Sequence, residues 1–346
     1  MEKRKKKNPI GIENFEKLRS DDFYYIDKTG LIRELLHNWG EVNLFTRPRR
    51  FGKTLNMSML ENFFSMNGDK RIFEGLEISK ETGLCGEHMG KYPVISISLK
   101  GMDALTYETA FQMAVQIVIE AAEKFYFLLD SEKLNAHDKA EYRKLLDDHM
   151  NEGMACSSLR KLSGLLEKHY GTKAVLLIDE YDVPLAKAFA NAYYSQMLSL
   201  IRSLLGQALK TNSSLKFAVL TGCVRISKES IFTGLNHLKV RSITDKRFDR
   251  YFGFTDSEVK ALLEYYGYPE SYDAAKKWYD GYHFGNVDIY CPWDVLNYCD
   301  SLFDDREAQP ENHWINTSGN DAVKQFIRKC IRQLTISGAC FLRPAI

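Results

Sequence analysis

Residues 42–54 read Val-Asn-Leu-Phe-Thr-Arg-Pro-Arg-Arg-Phe-Gly-Lys-Thr, and this stretch restricts the fold more than any other in the chain. The apolar run Val42 to Phe45 enters a turn. Gly52-Lys53-Thr54 then opens a helical pattern that puts Leu55, Met59, Leu60 and Phe63 on one face. Strand, turn and helix in that order form the context of a phosphate-binding loop. Main-chain N–H groups and a helix N-terminus face an anion, a lysine ammonium reaches the outer phosphates, and a threonine hydroxyl ligates Mg²⁺. In the pattern G-x-x-x-x-G-K-[ST] the first glycine falls at position 47, where this chain carries Arg47. Arg49 and Arg50 lie in the same loop, so it is degenerate but positively charged where phosphates would sit. Two readings of these arginines stay open. They contact phosphates in place of the backbone lost with the first glycine, or they pair with Asp182 or other acids. The residues expected at the nucleotide are Arg47, Arg49, Arg50, Phe51, Gly52, Lys53, Thr54 and Leu55.

Hydrolysis needs more than binding: a metal on the outer phosphate oxygens, an oriented water and positive charge on the transition state. Ala174-Val175-Leu176-Leu177-Ile178 is an apolar run of the kind buried on both faces of a parallel sheet, and it ends in Asp179-Glu180. Asp179, with Thr54, would hold Mg²⁺; Glu180 would polarise the attacking water. Leu215 to Gly222 reads as another strand, ending in Thr221 and Gly222. Strand C-termini of a parallel sheet share one edge, where ligands bind, so Thr221 either reaches the terminal phosphate or the water, or simply ends the strand at a turn. Arg225 follows, as a charge stabiliser in cis or across a subunit interface, or as a surface ion pair. Asp182 reads as structural.

Tyr92 to Leu99 and Leu238 to Thr244 supply two further strands. Helical patterns cover 110–129, 157–170 and 193–209, with a charged surface piece over 130–151. This alternation predicts an α/β fold with a mostly parallel five-stranded sheet sandwiched by helices. Upstream, the extended segment Phe23 to Ile26 precedes Asp27-Lys28-Thr29, where Asp27 or Thr29 would cap a helix, and the segment is placed to cover a nucleotide base or to pack as an edge. From about 251 the character changes. Thr255-Asp256-Ser257-Glu258 is a capping box, Trp278 to Gly285 an aromatic turn, and Pro292 a helix start. The expected organisation is a disordered basic tail over 1–8, an ATPase core over 9–250 and a small helical, lid-like domain over 251–346.

With 346 residues, two domains of about 150 residues is the expectation. A net charge of +1 does not indicate DNA as a partner; the basic tail and the arginine-rich segments are where DNA would be met. Seven scattered cysteines with no C-x-x-C pair read as small buried hydrophobes in a reducing cytoplasm. No secretory pattern and no run of about 18 apolar residues appears, so no membrane partner is expected.

Taken together, Asp27-Lys28-Thr29, Arg47 to Thr54, Asp179-Glu180-Tyr181-Asp182, Thr221 to Ile226 and Trp278-Tyr279-Asp280-Gly281-Tyr282 resemble the bacterial and archaeal AAA-ATPase-like family over roughly residues 8 to 300. The resemblance implies a P-loop NTPase core with Walker A and Walker B motifs and an extra strand between the two motif strands. It implies ATP and Mg²⁺ as ligands, ATP hydrolysis driving a conformational change, a protein partner of unknown identity, and a homo-oligomer. A slow or non-hydrolysing switch module, with DNA as a further partner, is the competing reading. Members often carry a C-terminal PD-(D/E)XK nuclease-like domain. Here the single Glu-x-Lys is Glu258-Val259-Lys260, on a predicted helix rather than a strand, so no intrinsic nuclease activity is expected; the chain reads as a truncated or split member, or its tail serves assembly only.

Overall fold

A computed structural model describes residues 4–210, 212–224, 232 and 237–313. The core begins with α1 (Phe15–Ser20), α2 (Gly30–His37), β1 (Val42–Thr46), α3 (Lys53–Phe64), α4 (Thr82–His88) and β2 (Val94–Ser98). It continues with α5 (Tyr107–Glu123), α6 (Ala136–Lys144), α7 (Glu152–Tyr170), β3 (Ala174–Asp179), α8 (Val183–Ala190), α9 (Tyr194–Leu209), β4 (Leu215–Gly222) and β5 (Leu238–Arg241). The C-terminal part holds β6 (Phe254–Thr255), α10 (Asp256–Tyr266), α11 (Tyr272–Tyr279), β7 (Asp280–Phe284), β8 (Val287–Tyr290) and α12 (Pro292–Asp304).

The main sheet has five strands in the order β2-β3-β4-β1-β5, every neighbouring pair parallel. The all-parallel sheet flanked by helices is the P-loop NTPase arrangement expected from the strand pattern. β4 lies between β1 and β3, the two strands that carry the motifs. Strand side chains alternate between faces, and both faces are covered. Leu176, Ile178, Ala218 and Leu220 pack with residues of α5, α7 and α9. Val175, Leu177, Phe217 and Val219 pack with residues of α2 and α3. Both β1 and β3 are buried along their whole length; β3 accordingly reads as an unbroken apolar run up to Asp179, whereas Asn43 interrupts the one in β1.

Local chemistry sets the helix ends. Asn151 caps α7 through Met154 N–H, so this helix begins five residues before the apolar pattern that announced it, and Gly171, at φ 74°, closes it. The Thr255–Glu258 capping box is formed in both directions. Asp27 accepts the amide of Thr29 and that of Glu77 at 2.8 and 2.6 Å, while the Thr29 hydroxyl accepts from Ile78. This pair thus joins α2 to the segment before α4 rather than only starting a helix.

Two expectations are modified. The part after residue 251 is not purely helical: β6, β8 and β7 form a three-stranded antiparallel sheet. The aromatic Trp278–Gly285 stretch, read as a turn, supplies β7, because its side chains pack on one side only and Phe284 is buried. Lys5 to Asn8, read as a solvated tail, are tied down: Lys5 Nζ donates to the Tyr266 carbonyl and Asn8 Nδ2 to the Leu296 carbonyl, and Lys7 bridges to Phe23. Residues 314–346 of the expected C-terminal domain lie outside the described residues. Among those described, no helix is long and apolar enough to cross a membrane.

Leu177→Ala, at the centre of β3, is expected to lower unfolding free energy by about 3 kcal/mol. Leu105→Ala, 80% exposed, is expected to change it by less than about 0.5 kcal/mol. Urea denaturation of both checks the placement of the core.

Candidate nucleotide site

The parallel register brings the motif residues to one edge. Phe45 pairs with Thr221 and Ser98 with Asp179, so the carboxyl ends of β1, β2, β3 and β4 lie side by side. Gly52, at φ 76°, turns the chain into α3, and its carbonyl accepts the Asn56 amide. The left-handed conformation is why a glycine stands there. Arg50 also adopts a positive φ, 68°, a non-glycine residue in a costly conformation.

Lys53 is buried, and its ammonium folds back on its own loop, donating to the carbonyls of Arg47 at 3.2 Å and Pro48 at 3.0 Å. The next residue, Thr54, donates its hydroxyl to Asp179 Oδ2 at 2.7 Å. Thr221 donates to the other carboxylate oxygen, Oδ1. The Thr221 hydroxyl also accepts the Glu180 amide at 3.3 Å. Both oxygens of a buried carboxylate are thus satisfied, and Glu180 is anchored next to it. Glu180 itself sits at φ 52°, so its side chain leaves the strand line and lines the adjacent cavity. Burial raises its pKa above the ordinary 4.5; Lys53 opposes this and Asp179 reinforces it. Asp182 accepts the amides of Cys223 and Val224, each at 2.9 Å, which is the structural role expected of it. That bond pair holds the turn leading to Arg225, which lies outside the described residues.

The arginines separate by position. Arg47, expected at the nucleotide, does not line the cavity. It is completely buried, its guanidinium donating to the carbonyls of Thr46, Arg241 and Phe248 at 2.9, 2.8 and 3.2 Å. The Phe252 ring lies 5.0 Å from it and the Phe284 ring 5.4 Å, and burial lowers its pKa to about 10. Its amide donates to the Gly222 carbonyl, which extends the β1–β4 ladder by one residue and aims the side chain away from the cavity. Arg49 and Arg50 line the cavity, and the Arg50 guanidinium stacks 4.2 Å from the Trp293 ring. Phe51 is buried, its ring 4.7 Å from Tyr282 and 5.4 Å from Phe284; it anchors the loop. Leu55, partly buried, lines the cavity beside Thr54.

This cavity, about 550 Å³, falls within the usual size range of small-molecule sites. Its lining combines the polar Lys53, Thr54, Glu180 and Lys100 with a largely apolar wall of Ile12, Tyr24, Ile26, Pro292, Trp293 and Leu296. Lys28, buried, clamps that wall: Nζ donates to Glu258 and to the Arg250 carbonyl. Trp293, Leu296 and Lys100 were not among the expected site residues, because no local pattern marks them.

Thr54 lines this cavity, and Asp179, hydrogen-bonded to it, lines an adjoining one, so two oxygen donors stand together, the number that Mg²⁺ takes from protein when phosphates and water complete its shell. Among the described residues no group of three or more His, Cys, Asp or Glu side chains is placed to hold a metal. The donor set therefore fits a metal brought with phosphates rather than a protein cage.

The family model described as a predicted AAA-ATPase matches residues 9–232. The chain belongs to this AAA-ATPase-like family. The family's own description as ATPases is a predicted one. The chain is also similar to an uncharacterised protein in the vnfD 5′ region of Azotobacter chroococcum mcd 1, 30% identical over 322 residues. That match covers 90% of this chain and 54% of the relative, so the chain spans about half the length of the curated relative it matches.

Arg47→Ala is expected to lower stability by about 3 kcal/mol, since it orphans three carbonyls and opens a cavity. Arg49→Ala, at the cavity lining, is expected to leave stability within about 0.5 kcal/mol. If Arg47→Ala unfolds at the parental urea midpoint, the buried-strut role is wrong.

Proposed function

We propose that the chain binds ATP with Mg²⁺ in this cavity and hydrolyses it. The observation that carries the reading is the hydrogen-bonded series Thr54–Asp179–Thr221–Glu180, next to the buried Lys53. In this reading Lys53 exchanges its two loop carbonyls for phosphate oxygens. Thr54 and Asp179 hold the metal, which supplies charge neutralisation at the phosphates. Glu180 takes the proton of the attacking water, and its raised pKa makes it a better base than an exposed glutamate. The apolar wall, between Tyr24 and Trp293, receives the base. Residues of α12 and of the segment before α1 both line the cavity, so nucleotide turnover would shift the C-terminal part against the core.

The test is an ATPase assay on the purified chain beside Lys53→Ala and Glu180→Gln. Lys53→Ala should lose ATP binding. Glu180→Gln should keep binding and lose about 100-fold or more in turnover. Absence of binding and turnover in the parent chain would sink the reading.

One observation favours a slow switch over a fast motor. The Arg47 amide is engaged in the ladder with Gly222, so it cannot turn towards a phosphate. Binding lost in Lys53→Ala, with no measurable parental turnover, would support the switch.

For the hydrolysing reading, activity should fall on acidification along a limb centred above 4.5. The sign follows from the base needing to be ionised: a raised pKa moves the loss of the ionised form to higher pH. A limb at or below 4.5 would remove Glu180 from the role.

A further inference from the structure

Lys100 lies two residues beyond Ser98, the β2 residue in register with Asp179. The amide between them, that of Leu99, donates to the Asp179 carbonyl at 2.9 Å. The main chain carrying Lys100 is therefore pinned to the strand end that bears the acids. Its side chain lines the same cavity as Lys53 and Glu180. Its ammonium is held by Glu13, 2.8 and 2.9 Å from the two carboxylate oxygens. That bond raises the lysine's pKa most, and Glu180 and Asp179 add to it, so the charge stands within the field of both acids.

Glu13 is an unusual tether. It belongs to the segment before α1 that walls the cavity, and it also lines an adjoining cavity of about 410 Å³, which shares Thr54 with the first and is lined by Asp179 as well. The pair is half exposed, 52% and 56% at the two side chains, so water competes for it and the contact is weak. A terminal phosphate carries more charge than one carboxylate and brings more acceptor oxygens. The loop, for its part, contributes neither the Arg47 amide nor its guanidinium, which both point elsewhere.

We propose that Lys100 is a phosphate-binding residue for the terminal phosphate of the bound nucleoside triphosphate, which takes it over from Glu13. The inference rests on the proposed nucleotide reading of the site and adds to it a residue that senses the third phosphate. It gives the segment before α1 a way to read the nucleotide state. With the triphosphate bound, Glu13 loses its partner; with the diphosphate, the pair re-forms. The segment is joined to the C-terminal part through Asn8 and Leu296, so the change is passed on.

Isothermal titration of the full chain with ATP and with ADP, both with Mg²⁺, tests this. Lys100→Ala should weaken ATP about tenfold or more and ADP by less than about twofold. Lys100→Arg should restore most of the ATP affinity, and Glu13→Gln should tighten ATP without changing ADP. Equal losses for both nucleotides, or none, would overturn the assignment. Binding that depends on Lys53 but not on Lys100 removes the inference and leaves the nucleotide site standing; no ATP binding by the parent chain removes both. A second readout does not use affinity. Amide hydrogen exchange over residues 9–14 should be faster with ATP than with ADP, and the difference should vanish in Lys100→Ala; a difference that persists counts against the proposal.

Discussion

Asp179 accepts a hydroxyl on each of its oxygens, Thr54 from the start of α3 and Thr221 from the end of β4. The three residues are far apart in the chain, and the bonds form only if β1, β4 and β3 are all in register. A carboxylate buried without partners would cost several kcal/mol, so these bonds discriminate strongly against slipped pairings, which would also turn every side chain to the other face. The rest of the edge follows from this point. With Asp179 fixed, Glu180 is bonded to Thr221, Tyr181 N–H reaches the Thr221 carbonyl, and Asp182 gathers the amides of Cys223 and Val224. Gly222 has to be a glycine for the same reason, since a Cβ there would stand 2.5 Å from the Tyr181 ring.

The sheet was legible because its central strands β3 and β4 are buried almost throughout, which leaves a nearly uninterrupted apolar signature in the residues themselves. The order of the motifs was legible too: Lys53-Thr54 before Asp179-Glu180 before Thr221. What sequence could not show was direction. Arg47 occupies a position that the loop pattern reserves for contact with phosphate. Its amide instead stays in the sheet, which forces the side chain to the opposite side, among Phe248, Phe252 and Phe284. That outcome depends on a hydrogen bond to Gly222, which no local pattern reports. The apolar wall of the cavity was hidden for a related reason. Trp293 and Leu296 line one cavity with Ile12 and Tyr24 across more than 260 residues of chain, and each alone reads as an ordinary amphipathic helix or strand residue.

The loop's departure from the usual glycine also changes what holds it. Phe51 packs against Tyr282 and Phe284 and accepts the Gly253 amide. Asn56 donates to the Tyr251 carbonyl at 2.9 Å, and Arg50 lies on Trp293. Every one of these partners belongs to residues 251–293. A glycine-rich loop is held chiefly by the phosphates it wraps. This one is held by the C-terminal part of the chain, before any ligand arrives.

That exchange bears on mechanism. Under the proposed function, a loop shaped by its neighbours needs little ordering when nucleotide binds, which favours affinity. The same contacts make the loop and the C-terminal part move together or not at all. Lys53 leaving the carbonyls of Arg47 and Pro48 would relax the loop between two anchors, Arg47 in the core and Phe51 under the hairpin β7–β8. The strain of Arg50 at φ 68° lies between those anchors. It is the position where a change in loop shape can be absorbed, and its guanidinium is the one that reports the change to α12.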